Sequence, residues 1–174
     1  MPDTTPTPPS PKTGDATLHL LCGKIAAGKS TLAGQLAAQP GTILISEDDW
    51  LAGLFGPEMR TVQDYVQFSA RLRSVIAPHI EALLRQGLSV VLDFPANTRR
   101  NREWMREIFS NAQSRHCLHV LDVPDAICKA RLETRNAQGD HAFAPSAEQF
   151  DHITRYFEEP TAAEGFTIVR YPHK

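Results

Sequence analysis

Residues 23–30 read Gly23-Lys24-Ile25-Ala26-Ala27-Gly28-Lys29-Ser30, a Gly-x-x-x-x-Gly-Lys-Ser/Thr run without a departure. The run follows the apolar stretch Leu18-His19-Leu20-Leu21-Cys22 and leads into Thr31-Leu32-Ala33-Gly34-Gln35-Leu36. A run of this kind between a strand and a helix is a phosphate cradle, because the chain turns sharply and aims successive backbone N–H groups and a helix N-terminus at one anion. Gly23 and Gly28 are expected to allow positive φ and close approach of backbone to phosphate. Lys29 is expected to reach the β- and γ-phosphates, and Ser30 to hold Mg²⁺ through its hydroxyl. The expected contacts of a bound ATP are thus Gly23, Lys24, Ile25, Ala26, Ala27, Gly28, Lys29, Ser30 and Thr31.

Outward from the cradle, short β-like runs alternate with helical patterns, which is the signature of a parallel sheet flanked by helices. Strands are expected at 17–22, 42–46, 88–93, 117–122 and 166–170. Helices fit 29–38, 61–86, 100–113, 125–137 and 146–158, the last capped by Ser146 with Gln149 at the capping-box spacing. In 61–86 the residues Val62, Tyr65, Val66, Ser69, Leu72, Ile76, Ile80, Leu83 and Leu84 recur at spacings of three and four, and Gly87 supplies a stop. Pro78 lacks a backbone donor, so a kink or a break into two helices is expected there. Residues 1–16 hold five of the thirteen prolines and no large apolar residue after Met1, as a disordered tail would. The expected organisation is that tail followed by one domain over 17–174.

Composition narrows the function. With 174 residues, 41% of them hydrophobic, the chain buries an adequate core without disulfides or metal. A net charge of −2 gives no basic field of the kind that marks nucleic-acid binders, which favours a small substrate. Cys22, Cys117 and Cys128 form no C-x-x-C pair and read as reduced, packed thiols of a cytoplasmic protein. No apolar stretch approaches a membrane span, and the N-terminus lacks the order of a signal peptide.

Ligands of parallel sheets gather at the carboxyl ends of the strands. After the second strand stands Ser46-Glu47-Asp48-Asp49-Trp50, where Asp48 is placed to take the proton of an attacking hydroxyl and Asp49 to cap a short helix. After the third comes Asp93, beside Ser30, a candidate for Mg²⁺ through a water or for holding a substrate hydroxyl. No Glu follows Asp93, which counts against a hydrolytic motor. After the fourth, Asp122-Val123-Pro124 opens a helix whose Arg131 and Arg135, four apart, share a face and can close together on a triphosphate, followed by a loop at 136–145 with His141. The run Arg99-Arg100-Asn101-Arg102 reads as a solvated helix start with at most one arginine turned to substrate. His116 and His119, three apart on a strand, lie on opposite faces and make a poor metal pair. Asn-Lys-x-Asp, the guanine-recognition run, does not occur.

With the cradle, Asp48, Asp93 and the Arg131–Arg135 helix in place, the chain resembles the P-loop kinases grouped around the phage polynucleotide kinase domain, zeta toxins and chloramphenicol phosphotransferase, AAA-type ATP-binding proteins of kinase-like build. The resemblance spans nearly all of 17–170. It includes the Asp pair after the second strand, Arg100 and Trp104 seven and eleven residues beyond Asp93, and Asp-Val-Pro before the helix carrying Arg135. It implies a P-loop three-layer α/β sandwich with a five-stranded, mostly parallel sheet and a helical lid. The implied activity is ATP- and Mg²⁺-dependent phosphorylation of a hydroxyl, with Lys29, Asp48 and Arg135 catalytic, Arg131 on the nucleotide, and Ser30 and Asp93 on the metal. The polynucleotide kinase has an arginine shortly after its aspartate pair, whereas Leu51 stands here, which disfavours a nucleic-acid 5′ end. Trp50, Leu51, Leu54 and Phe55 suit an apolar or aromatic small molecule, with two of the four expected in the core. Alternatives are a polynucleotide 5′-hydroxyl kinase, a toxin-like nucleotide-sugar kinase, or an ATP-binding regulatory module without transfer. A monomer or homodimer away from membranes is expected.

Overall fold

The computed structural model describes residues 15–138 and 145–173. Strands β1 (Thr17–Cys22), β2 (Thr42–Ser46), β3 (Ser89–Pro95), β4 (Arg115–Asp122) and β5 (Ile168–Pro172) alternate with helices α1 (Lys29–Ala37), α2 (Glu47–Phe55), α3 (Val62–Arg85), α4 (Arg99–Ala112), α5 (Asp125–Gln138) and α6 (Ala147–Thr154). The five strands lie in the order β2-β3-β1-β4-β5, and every neighbouring pair is parallel. Apolar residues on both faces of the central strands explain this. On one face Leu18, Leu20, Cys22, Val90, Leu92, Leu118 and Val120 pack with Ile76, Ile80, Leu84, Met105 and Ile108 of α3 and α4. On the other, Leu21 and Val91 meet Ala33 of α1. The result is a three-layer α/β sandwich around a parallel sheet.

Helix α3 continues as one helix past Pro78, so of the kink or break expected there the break does not occur. Proline inside a helix costs about 3 kcal/mol. Against this, Leu72, Ile76, Ile80 and Leu84 are all at most 4% exposed, and each buried aliphatic side chain contributes about 1.5–3 kcal/mol. The stop at Gly87 is as expected: φ is +80°, Leu88 N donates to Leu83 O at 3.1 Å, and Gly87 N donates to Leu84 O at 3.0 Å, which is the Schellman closure. Ser146 and Gln149 form the expected reciprocal cap of α6.

Four expectations need correction. The tail does not extend to residue 16: Ala16 is buried and its carbonyl accepts from Arg115 N at 3.0 Å, while Asp15 pairs with Arg115 at 2.9 Å. Residues 1–14 lie outside the described residues. The loop expected at 136–145 begins later, because α5 continues to Gln138; residues 139–144, with His141, are outside the described residues. The basic run at 99–102 is not all solvated. Arg102 is 1% exposed and ties the C-terminal segment to α4, donating to both carboxylate oxygens of Glu164 at 2.7 and 3.0 Å, to Ala96 O at 3.0 Å and to Glu158 O at 2.8 Å. Finally, Ser46 and not Asp49 caps α2, its hydroxyl accepting from Asp49 N at 3.2 Å.

Candidate functional site

The cradle leaves β1 at Gly23 and enters α1 at Lys29. Gly28 has φ +102°, as expected; Gly23 is not in the left-handed region, which Ala26 occupies instead at φ +59°. Gly23 is needed for room, since a Cβ there would come 3.2 Å from Leu121 Cβ. The middle of the loop is held from below. Ile25, Ala26 and Ala27 pack on Leu121, Val123, Cys128, Leu132 and Phe150 of the β4–α5–α6 side, and Lys129 of α5 pairs with Asp151 of α6 at 2.7 Å.

Lys29 lies over this loop, its Nζ donating to Gly23 O at 2.8 Å and Lys24 O at 2.9 Å. Burial pulls its pKa below the ordinary lysine value, while the nearby carboxylates of Asp93 and Asp48 act the other way. A cation held partly desolvated is strengthened toward any anion that enters.

Asp93 arrives through an irregularity in the sheet. Leu20 pairs with Leu92, but Leu21 pairs with Pro95, so β3 bulges at Asp93 and Phe94 where it nears the cradle, a common means of re-aiming a side chain. Asp48 sits in the first turn of α2, one turn end away, because β2 and β3 stay in register to Ser46 opposite Asp93. Asp48 is exposed, yet its carboxyl is held above the ordinary aspartate range. Partial desolvation is the largest cause, followed by Asp93 and Asp49, against Lys29 and Arg135. Arg135 stands one turn beyond Arg131 on α5; its Nε is buried without a hydrogen-bond partner among the described residues. Arg131 reaches the loop itself, with Nη1 3.4 Å from Ala27 O. Ser30 is exposed at the start of α1. The structure thus brings Lys29 and Arg131 onto the loop, and sets Asp48 and Asp93 at the adjacent ends of β2 and β3.

The sequence reading missed Asn97. Its side-chain amide grips Gly23 at both ends, Oδ1 accepting from Gly23 N and Nδ2 donating to Gly23 O, each at 2.9 Å. Gly23 O thereby receives both Asn97 and Lys29. The signal available was position alone: Asn97 follows a strand end on the ligand side of the sheet. Asn97→Ala removes two hydrogen bonds worth about 1 kcal/mol each and is expected to weaken ATP binding about tenfold or more, as read by calorimetric titration; unchanged affinity would show that the loop keeps its shape unaided.

The apolar residues of α2 are split as expected in number but not in place. Leu51 is 1% exposed, and Phe55 stacks on Phe68 at 4.5 Å, while Trp50 and Leu54 are 39% and 56% exposed. At about 100° per helical residue, Trp50 and Leu54 lie some 160° and 120° round the helix from Asp48. They flank the far side, so they do not line an acceptor beside it. Leu51 belongs to the core.

The histidines of the sheet have other partners. His19 Nδ1 and His119 Nε2 are 3.0 Å apart, His119 Nδ1 lies 2.9 Å from the Tyr171 hydroxyl, and burial pushes His119 down to about 4. His116 faces the other way, stacked on Phe109 at 4.0 Å and accepting from Thr167 N at 3.0 Å. The cysteines are free; Cys22 is buried, which pushes its thiol up to about 11. Among the described residues no group of three or more His, Cys, Asp or Glu side chains is arranged so that it could hold a metal ion, and no helix there is long and apolar enough to cross a membrane.

A parallel sheet of this order with a Gly-Lys-Ser cradle between β1 and α1 defines a kinase-like P-loop domain, a nucleotide-binding fold. The chain belongs to the AAA domain family AAA_33, whose model matches residues 18–160. No curated protein matches the sequence significantly. Among solved structures, a Chloroflexus aurantiacus protein assigned as a kinase is 19% identical with a TM-score of 0.73, over 91% of this chain and 86% of that one. The Pnkp1/Rnl/Hen1 RNA repair complex contains a chain 20% identical with a TM-score of 0.63, over 83% of this chain and 47% of that one. The Mycobacterium tuberculosis APS kinase CysC is 17% identical with a TM-score of 0.57, over 91% and 89%. At such identities the likeness is one of fold.

Proposed function

We propose that this protein is an ATP-dependent phosphotransferase acting on a hydroxyl of a small molecule. One observation carries the reading: the Lys29 ammonium lies on the cradle, bonded to Gly23 O and Lys24 O, Arg131 of α5 reaches Ala27 O, and the strand ends that carry Asp48 and Asp93 stand side by side in register, an arrangement that suits a γ-phosphate meeting its acceptor. In the reaction, Asp48 takes the proton of the acceptor hydroxyl, whose oxygen bonds to the γ-phosphorus as the bond to the bridging β-oxygen breaks and ADP leaves. Lys29 holds the β- and γ-phosphate oxygens, and Arg135 with Arg131 comes down from α5 on the charge that develops. The backbone of 23–31 cradles the phosphates.

A hydroxyl and a carboxylate, Ser30 and Asp93, are hard oxygen donors of the kind that hold Mg²⁺ together with substrate phosphates. When bound there, the ion neutralises phosphate charge. Support for a small acceptor comes from the net charge of −2 and from buried Leu51 in place of a phosphate-binding arginine. ADP formation with glycerol, glucose, benzyl alcohol and a 5′-hydroxyl DNA oligonucleotide, each against water alone, tests this. Stimulation by a small alcohol is expected. Stimulation by the oligonucleotide alone, collapsing as salt rises, would instead identify an end kinase.

A further inference from the structure

Glu47 immediately precedes Asp48 and is 1% exposed. Its Oε1 accepts from Arg73 Nε at 3.1 Å and Nη2 at 3.0 Å, and its Oε2 accepts from the Tyr65 hydroxyl at 3.2 Å. The third bond of Arg73 goes onward: Nη1 donates to Asn101 Oδ1 at 3.0 Å, and Asn101 Nδ2 donates to Pro95 O at 2.8 Å. Trp104 closes the fourth side, its ring centroid 5.4 Å from the guanidinium carbon. The chain of bonds therefore starts beside Asp48 on α2, crosses α3 and α4, and ends on β3 two residues beyond Asp93.

Stability does not account for it. Two charges taken out of water gain little over an apolar pair of the same volume, and often lose. What an apolar pair lacks is direction, since greasy contacts let α2 slide against β3 whereas a guanidinium with three fixed N–H vectors does not. We propose that Glu47, Arg73 and Asn101 form a positioning bridge that fixes Asp48 relative to Asp93 and the cradle. Its catalytic consequence rests on the kinase reading given above. None of the three touches the reacting atoms; they act through Asp48.

The bridge can be removed without leaving a buried charge. Glu47→Leu combined with Arg73→Met replaces the ions by apolar groups and is expected to keep the urea midpoint near that of the wild type. ATP affinity by calorimetry and KM for ATP should stay within about twofold, because the cradle is untouched, while kcat falls about 10²-fold through misplacement of Asp48. Asn101→Ala cuts the bridge beyond the ion pair and should lower kcat about tenfold, which keeps the test open if the double variant folds poorly. Rates are read with MgATP plus whichever of the four acceptors stimulates most, and with water alone. Wild-type kcat in either folded variant overturns the bridge. A wild type that forms ADP with water but responds to no acceptor overturns the kinase reading instead, and the same variants then judge the bridge on the water reaction.

Discussion

Lys29→Ala is expected to fold and to form ADP about 10²–10³-fold more slowly than the wild type, the usual loss when one preorganised cation is taken from a transferring phosphoryl group. The fold should not suffer. Burial holds the Lys29 pKa below its ordinary value, so the folded state disfavours the charged ammonium. A group of this sign adds stability only as pH rises toward its unfolded pKa, and at neutral pH its charge is a burden. The lost bonds to Gly23 O and Lys24 O offset part of that relief, and the melting temperature should lie close to that of the wild type. A folded variant with wild-type turnover would remove the cradle from the chemistry.

Asp48→Asn is the second large effect. The amide keeps the size of the side chain but cannot accept the hydroxyl proton, and transfer should fall by about 10²-fold or more with ATP affinity nearly unchanged. The structure adds a stability signature. The folded state raises the Asp48 pKa through desolvation, Asp93 and Asp49, so the protonated form is favoured on folding. Stability from this group is fully present below its unfolded pKa of about 3.9 and is lost as pH rises through the higher folded value. The variant should therefore melt above the wild type at pH 7, and the difference should vanish below about pH 3.9. The wild-type rate should drop on the acid side at a pH above the ordinary aspartate range. A variant that melts lower and turns over normally would make Asp48 a structural residue.

The cradle and the parallel sheet were legible in the sequence because each is written locally. Gly23 to Ser30 is one uninterrupted spacing, and the strands are short apolar runs punctuated at fixed places. What escaped was written across distance. Asn97 grips a glycine 74 residues away, Arg73 finds Glu47 across 26, and Arg102 finds Glu164 across 62. No period or motif joins such pairs, and each looks like a surface residue until the helices pack. Trp50 and Leu54 are a different case, since the spacing that turns them away from Asp48 is in the sequence and needs only that 48–54 be helical. The cap of α2 turned on a choice between adjacent polar residues, decided by the extended backbone of Ser46 at φ −97° and ψ 122°.

The central claim is that phosphate moves to a hydroxyl and not merely to water. The direct measurement follows ATP labelled on its γ-phosphate, incubated with Mg²⁺, the protein and each acceptor, and asks where the label goes. The expected result is label in an acid-stable phosphomonoester of a small alcohol, formed about 10²-fold or more slowly by Asp48→Asn and by Lys29→Ala. Label recovered only as inorganic phosphate, at a rate no acceptor changes, would contradict it.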